Sequence, residues 1–406
     1  MPIEVTETAT QAAAREERAK AGRPAHWLND AGTHFHNPWP SFRESVTNLS
    51  DVGGIIGTFA QAIFCPQSTA RKDEIPRFVP DWAEFAPEND KTRGKVRATW
   101  LGHACFLVEL PAPVAGARGP RILFDPVFSD RCSPSQIMGP KRYTKPPCKL
   151  DEVPEFDAIV ISHNHYDHMD TNSLKVLLSR PSAPHVFAPY GAANQSYFRK
   201  LGVPANRTHC LDWWDARRVT TTLPSDKAAS IAFDVTCTPG QHFTGRGLHD
   251  RCHTLWAGWV VESAPGPDDK KVKTTGKVYF AGDTGYRSVT SDTDDGPDDL
   301  PVCPAFKEIG ERWGGMDLAL IPIGAYTPRS FLSPVHSAPR DSVAIFKDVK
   351  ARRGLGMHWG TWLLGAEQIL DPPEKLAEEA QKAGLKEGAF TVCGIGETVL
   401  VDAGGK

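Results

Sequence analysis

The segment that most restricts the fold of this chain is SHNHYDH, from Ser162 to His168, directly after the apolar run Ala158–Ile161. It holds three imidazoles and one carboxylate. Such a density is typical of a metal site, because imidazole binds Zn, Fe, Ni and Cu while carboxylate accepts harder ions. His163 and His165 share one side of an extended segment, and the other two groups follow on the turn. A turn that only caps the next helix needs one such side chain. The segment therefore predicts a strand that ends at ligands for two adjacent metal ions.

Two coordination shells need more ligands than this segment has, and later apolar runs supply them. His242, Asp283 and His358 each follow an apolar run that breaks into glycine, where α/β folds expose functional groups on loops. Singly, each also fits a structural role, as a loop histidine, a turn-forming aspartate or a half-buried histidine. Together they complete two shells that keep an open position for a shared water, as catalytic sites do. The predicted ligands are His163, His165 and His242 for one ion, Asp167, His168 and His358 for the other, and Asp283 as a bridge.

Short β-type runs alternate with helical patterns from Lys95 onward, which suits two sheets packed face to face with helices outside. Strands are predicted at 96–101, 105–110, 121–124, 158–162, 186–188, 231–236, 255–262, 278–281, 318–321, 355–357, 390–392 and 398–401. Helices are predicted at 171–179, 192–200, 305–313, 339–350 and 373–383. We further predict a flexible N-terminal arm at 1–35, an extended proline-containing lead-in at 36–94 that packs on the catalytic domain, and the catalytic domain itself at 95–406.

Composition excludes some classes of protein. A formal net charge of −3 gives no polybasic signal, so nucleic acid is not an expected partner. The nine cysteines are scattered without a C-x-x-C pair, which predicts reduced thiols. The longest apolar candidate, Ile55–Phe64, is shorter than the roughly 20 residues that span a bilayer, and the first 20 residues carry four glutamates, which is wrong for a signal peptide. We expect an intracellular protein, cytosolic or peripherally bound to a membrane, without signal peptide or transmembrane segment.

The ligand pattern resembles the metallo-β-lactamase superfamily, in which H-x-H-x-D-H is followed by His, Asp and His at strand ends. In more detail the chain is similar to the N-acylphosphatidylethanolamine-hydrolysing phospholipase D family, and the similarity extends from about Trp39 to about Val401. Two departures from that family are Gly245-Arg246, where the family has a basic pair, and Val335-His336, where it has Gln-His. The segments that carry the similarity are Thr99–Ala104, Ser133–Gln136, Met138–Arg142, Leu211–Trp214, Ala281–Tyr286, Ile321–Tyr326 and His358–Thr361.

This resemblance implies a metallo-β-lactamase αββα sandwich, an α/β fold of two mixed β-sheets with helices on the outer faces. It implies two zinc ions per chain, held by the seven ligands. The implied activity is zinc-dependent phosphodiester hydrolysis of the phospholipase D type, from N-acylphosphatidylethanolamine to N-acylethanolamine and phosphatidic acid. The implied partner is a phospholipid at a membrane surface, and a homodimer is compatible with it. The alternative is a hydrolase of the same fold that acts on a lactone, an amide or a soluble phosphodiester.

Several residues receive roles from the same chemistry. Asp167, Asp283 and His336 are the predicted catalytic residues, and His336 either contacts phosphate, protonates the leaving alkoxide or is a surface-loop histidine. Asp125 either accepts a hydrogen bond from a ligand imidazole or is a plain turn residue at a strand end. The predicted substrate contacts are Tyr166, Arg246 and Tyr326, although aromatic residues in such places are often core and isolated basic residues are often only solvated.

Overall fold

The computed structural model describes residues 2–8, 11, 22–44, 71–85, 91–113, 117–223, 230–265, 275–293, 296–297 and 299–404. Their strands are β1 (Ile3–Glu7), β2 (Lys95–Gly102), β3 (Cys105–Glu109), β4 (Arg121–Phe124), β5 (Ala158–Val160), β6 (His185–Pro189), β7 (Thr208–Leu211), β8 (Ala216–Thr222), β9 (Ser230–Thr238), β10 (Gly258–Ser263), β11 (Lys277–Phe280), β12 (Met316–Pro322), β13 (Ala351–Met357), β14 (Phe390–Thr391) and β15 (Thr398–Asp402). Their α-helices are α1 (Thr171–Leu178), α2 (Ala192–Lys200), α3 (Ala305–Trp313), α4 (Arg329–Leu332), α5 (Pro339–Asp348) and α6 (Asp371–Lys382).

The strands form two mixed sheets with the same internal plan. The first sheet has the order β1-β8-β9-β10-β11-β12-β13-β14, and the second has the order β15-β2-β3-β4-β5-β6-β7. The first sheet is antiparallel from β1 to β11 and parallel from β11 to β14. The second is antiparallel from β15 to β4 and parallel from β4 to β7. Each sheet therefore brings the carboxyl ends of parallel strands to one edge.

The two sheets pack face to face through large apolar side chains. Phe124 of the second sheet stacks on Phe280 of the first, with ring centroids 4.6 Å apart. Trp259 of β10 is fully buried, and its indole N–H donates to the carbonyl of Ile161 at 3.0 Å. Since a buried indole N–H needs a partner, this bond fixes the position of the first sheet against the strand that leads into the ligand segment.

Helices cover the outer faces of both sheets. Leu174 and Leu177 of α1 and Phe198 of α2 are buried in a cluster with residues of the second sheet. The first sheet is covered by α5 and α6, and Phe346 of α5 stacks on Phe390 of β14 at 5.1 Å. The helix patterns of the sequence predict these elements because their apolar residues recur on one face. The αββα sandwich is confirmed.

The amino-terminal segments differ from the predicted flexible arm. Residues Ile3–Glu7 form the edge strand β1, which pairs antiparallel with β8. The reason is that β8 would otherwise leave its backbone groups unpaired at a sheet edge. Further along, Asn37 and Ser41 hydrogen-bond residues 241–242, and Ile75 is buried in the main core. The apolar run Ile55–Phe64 lies outside the described residues. In the part of the chain that is described, none of the helices has the length and hydropathy that crossing a bilayer requires.

Candidate metal centre

The predicted ligands meet at one edge of the sandwich because each follows the carboxyl end of a strand. The ligand segment follows β5, His242 follows β9, Asp283 follows β11 and His358 follows β13. Three residues of the centre have a left-handed backbone: Asp125, His103 and His358 have φ values of 37°, 53° and 64°. Such left-handed conformations are uncommon outside glycine and persist where the surrounding structure enforces them.

The first ligand group consists of His163, His165 and His242. The Nδ1 atom of His165 lies 2.8 Å from Nε2 of His163 and 3.4 Å from Nε2 of His242. His163 and His242 are buried and His165 is half-buried. The ligand atoms of all three lie within 4.8 Å of one another. This is the group that the sequence predicts for one ion.

The second ligand group consists of Asp167, His168 and His358. The Oδ2 atom of Asp167 lies 3.4 Å from Nε2 of His168 and 3.5 Å from Nε2 of His358. Four ligands arranged tetrahedrally at about 2.0–2.1 Å from a zinc ion are roughly 3.3–3.4 Å apart. The spacing of the second group is therefore that of the edges of a metal tetrahedron.

Asp283 lies between the two groups. Its Oδ2 atom is 3.0 Å from Nε2 of His358 and 3.1 Å from Nε2 of His168. The same oxygen is 3.9 Å from Nε2 of both His163 and His242. Its other oxygen, Oδ1, is buried without a hydrogen-bond partner. The carboxylate therefore faces both groups, as a bridging ligand must.

Hydrogen bonds behind the ligands direct their lone pairs inward. Nδ1–H of His242 donates to the carbonyl of Val335 at 2.8 Å, and Nδ1–H of His168 donates to Asp125 at 2.7 Å. Nε2 of each ring therefore faces the centre, where Nε2 of His168 and His358 lie 3.1 and 3.0 Å from Oδ2 of Asp283. Imidazole nitrogens and carboxylate oxygens that meet in one buried site are costly unless protons or a metal cation lie between them. The donor set thus fits metal ions, and the His/Asp groups suit a dinuclear metal site.

Asp125 takes the first of the two roles that the sequence left open for it. Its carboxylate accepts from His168 and also from the backbone N–H and the hydroxyl of Ser162, at 2.7 and 2.5 Å. The Ser162 hydroxyl in turn accepts from Nδ1–H of His163 at 2.9 Å. A single buried carboxylate therefore orients one imidazole of each group, and such outer contacts set the tautomer and the direction of a ligand. Ser162 was part of the predicted segment without a role of its own.

Burial and charge divide the imidazoles into two kinds. Burial lowers the pKa of His163 and His242 well below the usual value, and it lowers the pKa of His165 to about 4. Burial also acts on His168 and His358, but the Asp283 and Asp167 carboxylates outweigh it. They raise the pKa of His168 and bring that of His358 to about 9. Without metal, the imidazoles of the first group are neutral at pH 7, whereas those of His168 and His358 are protonated beside ionised carboxylates.

We expect metal binding at pH 7 to release protons from the second group. His168 and His358 must lose theirs before they bind a metal ion, whereas the neutral imidazoles of the first group have none to release. Because the pKa of His358 is raised to about 9, proton competition weakens as the pH rises, and apparent affinity should increase up to about pH 9. Calorimetric metal titrations of the metal-free protein in two buffers of different ionisation enthalpy measure the number of protons released. A value near zero at pH 7 contradicts the assignment.

His103 belongs to the centre although the sequence analysis gave it no role. Its Nε2 atom lies 3.0 Å from Oδ2 of Asp167, and it groups with Asp167, His168 and His358 within 4.8 Å. Burial lowers the pKa of His103 to about 3, so the ring is neutral and its Nε2–H can donate to the carboxylate. The signal for it was its place in the Gly102-His103 turn between β2 and β3, inside a segment that resembled the family.

Asn37 is a second residue that sequence reasoning missed. Its side-chain amide donates to the carbonyl of His242 at 2.8 Å and accepts from the backbone N–H of His242 at 3.2 Å. Next to it, Ser41 donates to Gln241 at 2.6 Å. The lead-in segment thus holds the backbone of a metal ligand through two bonds, across 205 positions of the chain.

We expect Asn37→Ala to weaken metal binding by the first group by about 10- to 100-fold, the usual effect of losing an outer contact to a ligand. Calorimetric metal titration should show this loss at one of two binding events, with the other unchanged. Asn194→Ala is the matched control, because this buried amide of α2 donates at 2.9 Å to the carbonyl of Pro189 in β6, which is not a predicted ligand. Equal metal affinity in both variants would show that the contact only stabilises the fold.

The predicted catalytic and substrate residues divide between two places. His336 lies beside the centre, with Nδ1 4.0 Å from Oδ2 of Asp283 and buried without a hydrogen-bond partner. Tyr166 lies at its rim, beneath the Arg246 guanidinium at 3.9 Å. The guanidinium donates hydrogen bonds to the backbone carbonyls of residues 164 and 169, so Arg246 holds the ligand turn in place. Tyr326 lines a cleft of about 320 Å³ that none of the seven predicted ligands lines.

Comparison with known proteins gives the relationship of the chain. Residues 120–359 match the family model for the beta-lactamase superfamily domain. The chain is 36% identical over 303 residues to the N-acyl-phosphatidylethanolamine-hydrolyzing phospholipase D 1 of Caenorhabditis elegans, which covers 74% of each protein. It is 34% identical over 304 residues to the mitochondrial N-acyl-phosphatidylethanolamine-hydrolyzing phospholipase D of Saccharomyces cerevisiae, covering 75% of this chain and 56% of that protein.

A solved structure supports the same fold. A possible metal-dependent hydrolase from Veillonella parvula matches 75% of this chain and 99% of its own, with a TM-score of 0.50 and 13% identity. The αββα sandwich, the His/Asp groups at its edge and the similarity over three quarters of the chain lead to one assignment. The chain is a metal-dependent hydrolase of the metallo-β-lactamase fold and belongs to the N-acylphosphatidylethanolamine-hydrolysing phospholipase D family.

Proposed function

We propose that the chain is a dinuclear zinc phosphodiesterase of the phospholipase D type, which hydrolyses N-acylphosphatidylethanolamine to N-acylethanolamine and phosphatidic acid. The observation that supports this most is that Oδ2 of Asp283 lies within 3.9 Å of Nε2 atoms of both ligand groups in a chain of this family. Five imidazoles and two carboxylates suit zinc, for which imidazole and carboxylate are ordinary ligands. His163, His165 and His242 would hold one ion, Asp167, His168 and His358 the other, and Asp283 both.

Zinc ions held in this way supply a nucleophile at neutral pH and positive charge for the phosphoryl oxygens. The protein itself contributes orientation. Asp167 is held by His103, and His168 and His163 are held through Asp125 and Ser162. Because these contacts are formed before substrate binds, the ligands need little reorganisation during the reaction.

His336 is proposed to meet the phosphoryl group. Burial lowers its pKa to about 4, so at pH 7 the imidazole is neutral and acts through an N–H rather than as a cationic acid. Of the two catalytic roles that the sequence left open, this favours contact with phosphate. The departure at Val335 is compatible with catalysis, because this residue takes part through its backbone carbonyl, which any side chain would leave in place.

The substrate contacts that we propose are aromatic rings that lie next to the metal centre. Phe243 packs on His165 at 4.6 Å, and the edge of Trp362 faces His103 at 4.9 Å. Phe243 borders the first ligand group and Trp362 borders His103, and both rings are proposed to contact the acyl chains together with Tyr166 of the ligand turn.

Reaction in ¹⁸O-labelled water tests the proposed bond cleavage. Hydrolysis at the ethanolamine side adds a water oxygen to phosphorus and a proton to the leaving ethanolamine oxygen, so the label should appear in phosphatidic acid and not in N-acylethanolamine. The zinc-loaded protein is assayed in parallel on a lactone and a soluble phosphodiester. Turnover of either without turnover of any N-acylated phospholipid would overturn the lipid assignment and leave a hydrolase of the same fold with another substrate.

A further inference from the structure

Three large apolar side chains are strongly exposed at the tips of two loops. Ile137 and Met138 are 85% and 73% exposed in residues 128–149, the first rim loop. Leu248 is 95% exposed in residues 243–253, the second rim loop. Single exposed apolar residues are ordinary on a protein surface. These three need an explanation only because of where the two loops are attached.

Both rim loops are attached to the turn that carries the metal ligands. In the first loop, the Ser129 hydroxyl donates to Asp170 at 2.9 Å. In the second loop, Arg246 donates to the carbonyls of Asn164 and Met169 at 2.8 and 2.9 Å. The attachment points 169 and 170 are adjacent and directly follow the ligand His168. The bases of both loops therefore lie beside the ligand turn.

Each loop is rigid at its base. Arg131 and Lys141 form a β-bridge across the first loop, and the Arg142 guanidinium donates to the carbonyl of Val127 at 2.8 Å. In the second loop, Asp250 accepts from the backbone N–H groups of residues 246 and 247 at 2.9 and 2.7 Å. Hydrogen bonds thus hold the base of each loop, while the apolar tips are strongly exposed.

The rim loops also differ in charge from the rest of the chain. Together they contain seven Lys and Arg residues and two Asp residues, which is a net charge of +5 in a chain of −3. Exposed cations among them include Lys141, Lys145, Lys149 and Arg251. Apolar side chains surrounded by basic residues are the features by which proteins attach to anionic lipid surfaces.

We propose that Ile137, Met138 and Leu248 insert into the surface of an anionic lipid bilayer and hold the metal centre against it. The inference rests on the proposed function, because a phospholipid substrate lies in such a bilayer. A second copy of the chain fits this surface less well. Three side chains on two separate loops offer much less area than the roughly 800 Å² per partner that a stable protein interface buries.

The test is co-sedimentation of the zinc-loaded protein with vesicles of phosphatidylcholine, with and without phosphatidylserine. We expect binding that needs phosphatidylserine and decreases with salt. We compare the double variant Ile137→Asp/Met138→Asp with the single variant Leu248→Asp. Each should lower the membrane partition constant at least about tenfold, because it removes apolar area that would be buried in the bilayer and adds a charge that anionic lipid repels. Leu400→Asp is the control, because Leu400 is 37% exposed on β15, opposite Arg97 near the start of β2 and remote from the ligand edge.

Activity separates this proposal from the proposed function. A water-soluble, short-chain N-acylated phospholipid should be hydrolysed by the tip variants within about twofold of the unchanged protein, whereas vesicle substrate should be hydrolysed in proportion to binding. Tip variants that bind vesicles normally would overturn the proposal, as would tip variants that change the oligomeric state in the absence of lipid. If the unchanged protein hydrolyses neither substrate, the proposed function fails while the sedimentation result still decides the docking surface.

Discussion

Replacing Asp283 with Asn is expected to lower kcat/KM on the order of 10³-fold or more and to reduce the metal content from about two ions per chain to about one. The amide has the shape of the carboxylate but lacks its charge. In the unchanged protein, Oδ2 of Asp283 lies 3.0 and 3.1 Å from Nε2 of His358 and His168, and 3.9 Å from the two Nε2 atoms of the first group. Losing the negative charge should therefore weaken metal binding by both groups. Elemental analysis measures the metal content, and steady-state kinetics measure kcat/KM.

The control for this variant is Asp234→Asn. Asp234 is a carboxylate of β9 that pairs with Arg218 at 2.8 Å, away from the ligand edge. The Asp234→Asn variant should bind two ions per chain and keep kcat/KM within about twofold of the unchanged protein. It should lose only the small stability contribution of a partly exposed ion pair. Near-normal turnover of Asp283→Asn, or two ions bound with unchanged affinity, would exclude a bridging role for this residue.

Replacing His336 with Ala is expected to lower kcat by about 10²- to 10⁴-fold with little change in KM, the range for losing a positioned group that acts in the transition state. Nδ1 of His336 is buried 4.0 Å from Asp283, between the rings of His242 and His358 at 5.1 and 5.4 Å. Because burial lowers its pKa to about 4, the imidazole is already neutral above that value. His336→Gln should then recover part of the activity, since it offers a neutral donor.

The matched control is His209→Ala. His209 is a partly buried residue of β7, and its imidazole stacks on that of His185 in β6 at 5.2 Å. This variant should leave kcat unchanged. If His336→Ala raises KM and leaves kcat intact, the residue only binds substrate. If His336→Gln is as inactive as the alanine variant, while kcat of the unchanged protein falls above a neutral pH, the residue acts as a cationic acid and our assignment of its role is wrong.

The sequence predicted most of the secondary structure near the centre because the signals there are local. Helices α2 and α3 have the predicted bounds, and α1 is one residue shorter than predicted. Their apolar residues recur with the period of a helix and need no knowledge of distant partners. The ligands of the turn could be recognised for a similar reason, because three imidazoles and a carboxylate in six positions have few other uses.

The strands that the sequence missed owe their structure to neighbours. Strand β8 reads Ala-Arg-Arg-Val-Thr-Thr-Thr, with two charged residues in place of an apolar run. It is a strand because it pairs with β9 over seven positions and with β1 over five, and Arg218 is neutralised by Asp234 of β9. Strand propensity depends on such cross-strand partners more than on the residues themselves.

The sequence by itself determined the kind of chemistry and the architecture, because ligand types and hydrophobic periodicity are carried by short segments. Apart from Asp125, tertiary structure alone decided which residues support the ligands. Asn37 reaches His242, His103 reaches Asp167, and Arg246 turns inward to hold the ligand turn. These contacts join residues 64 to 205 positions apart, and each uses one ordinary polar side chain whose role depends on the partner that the fold brings to it.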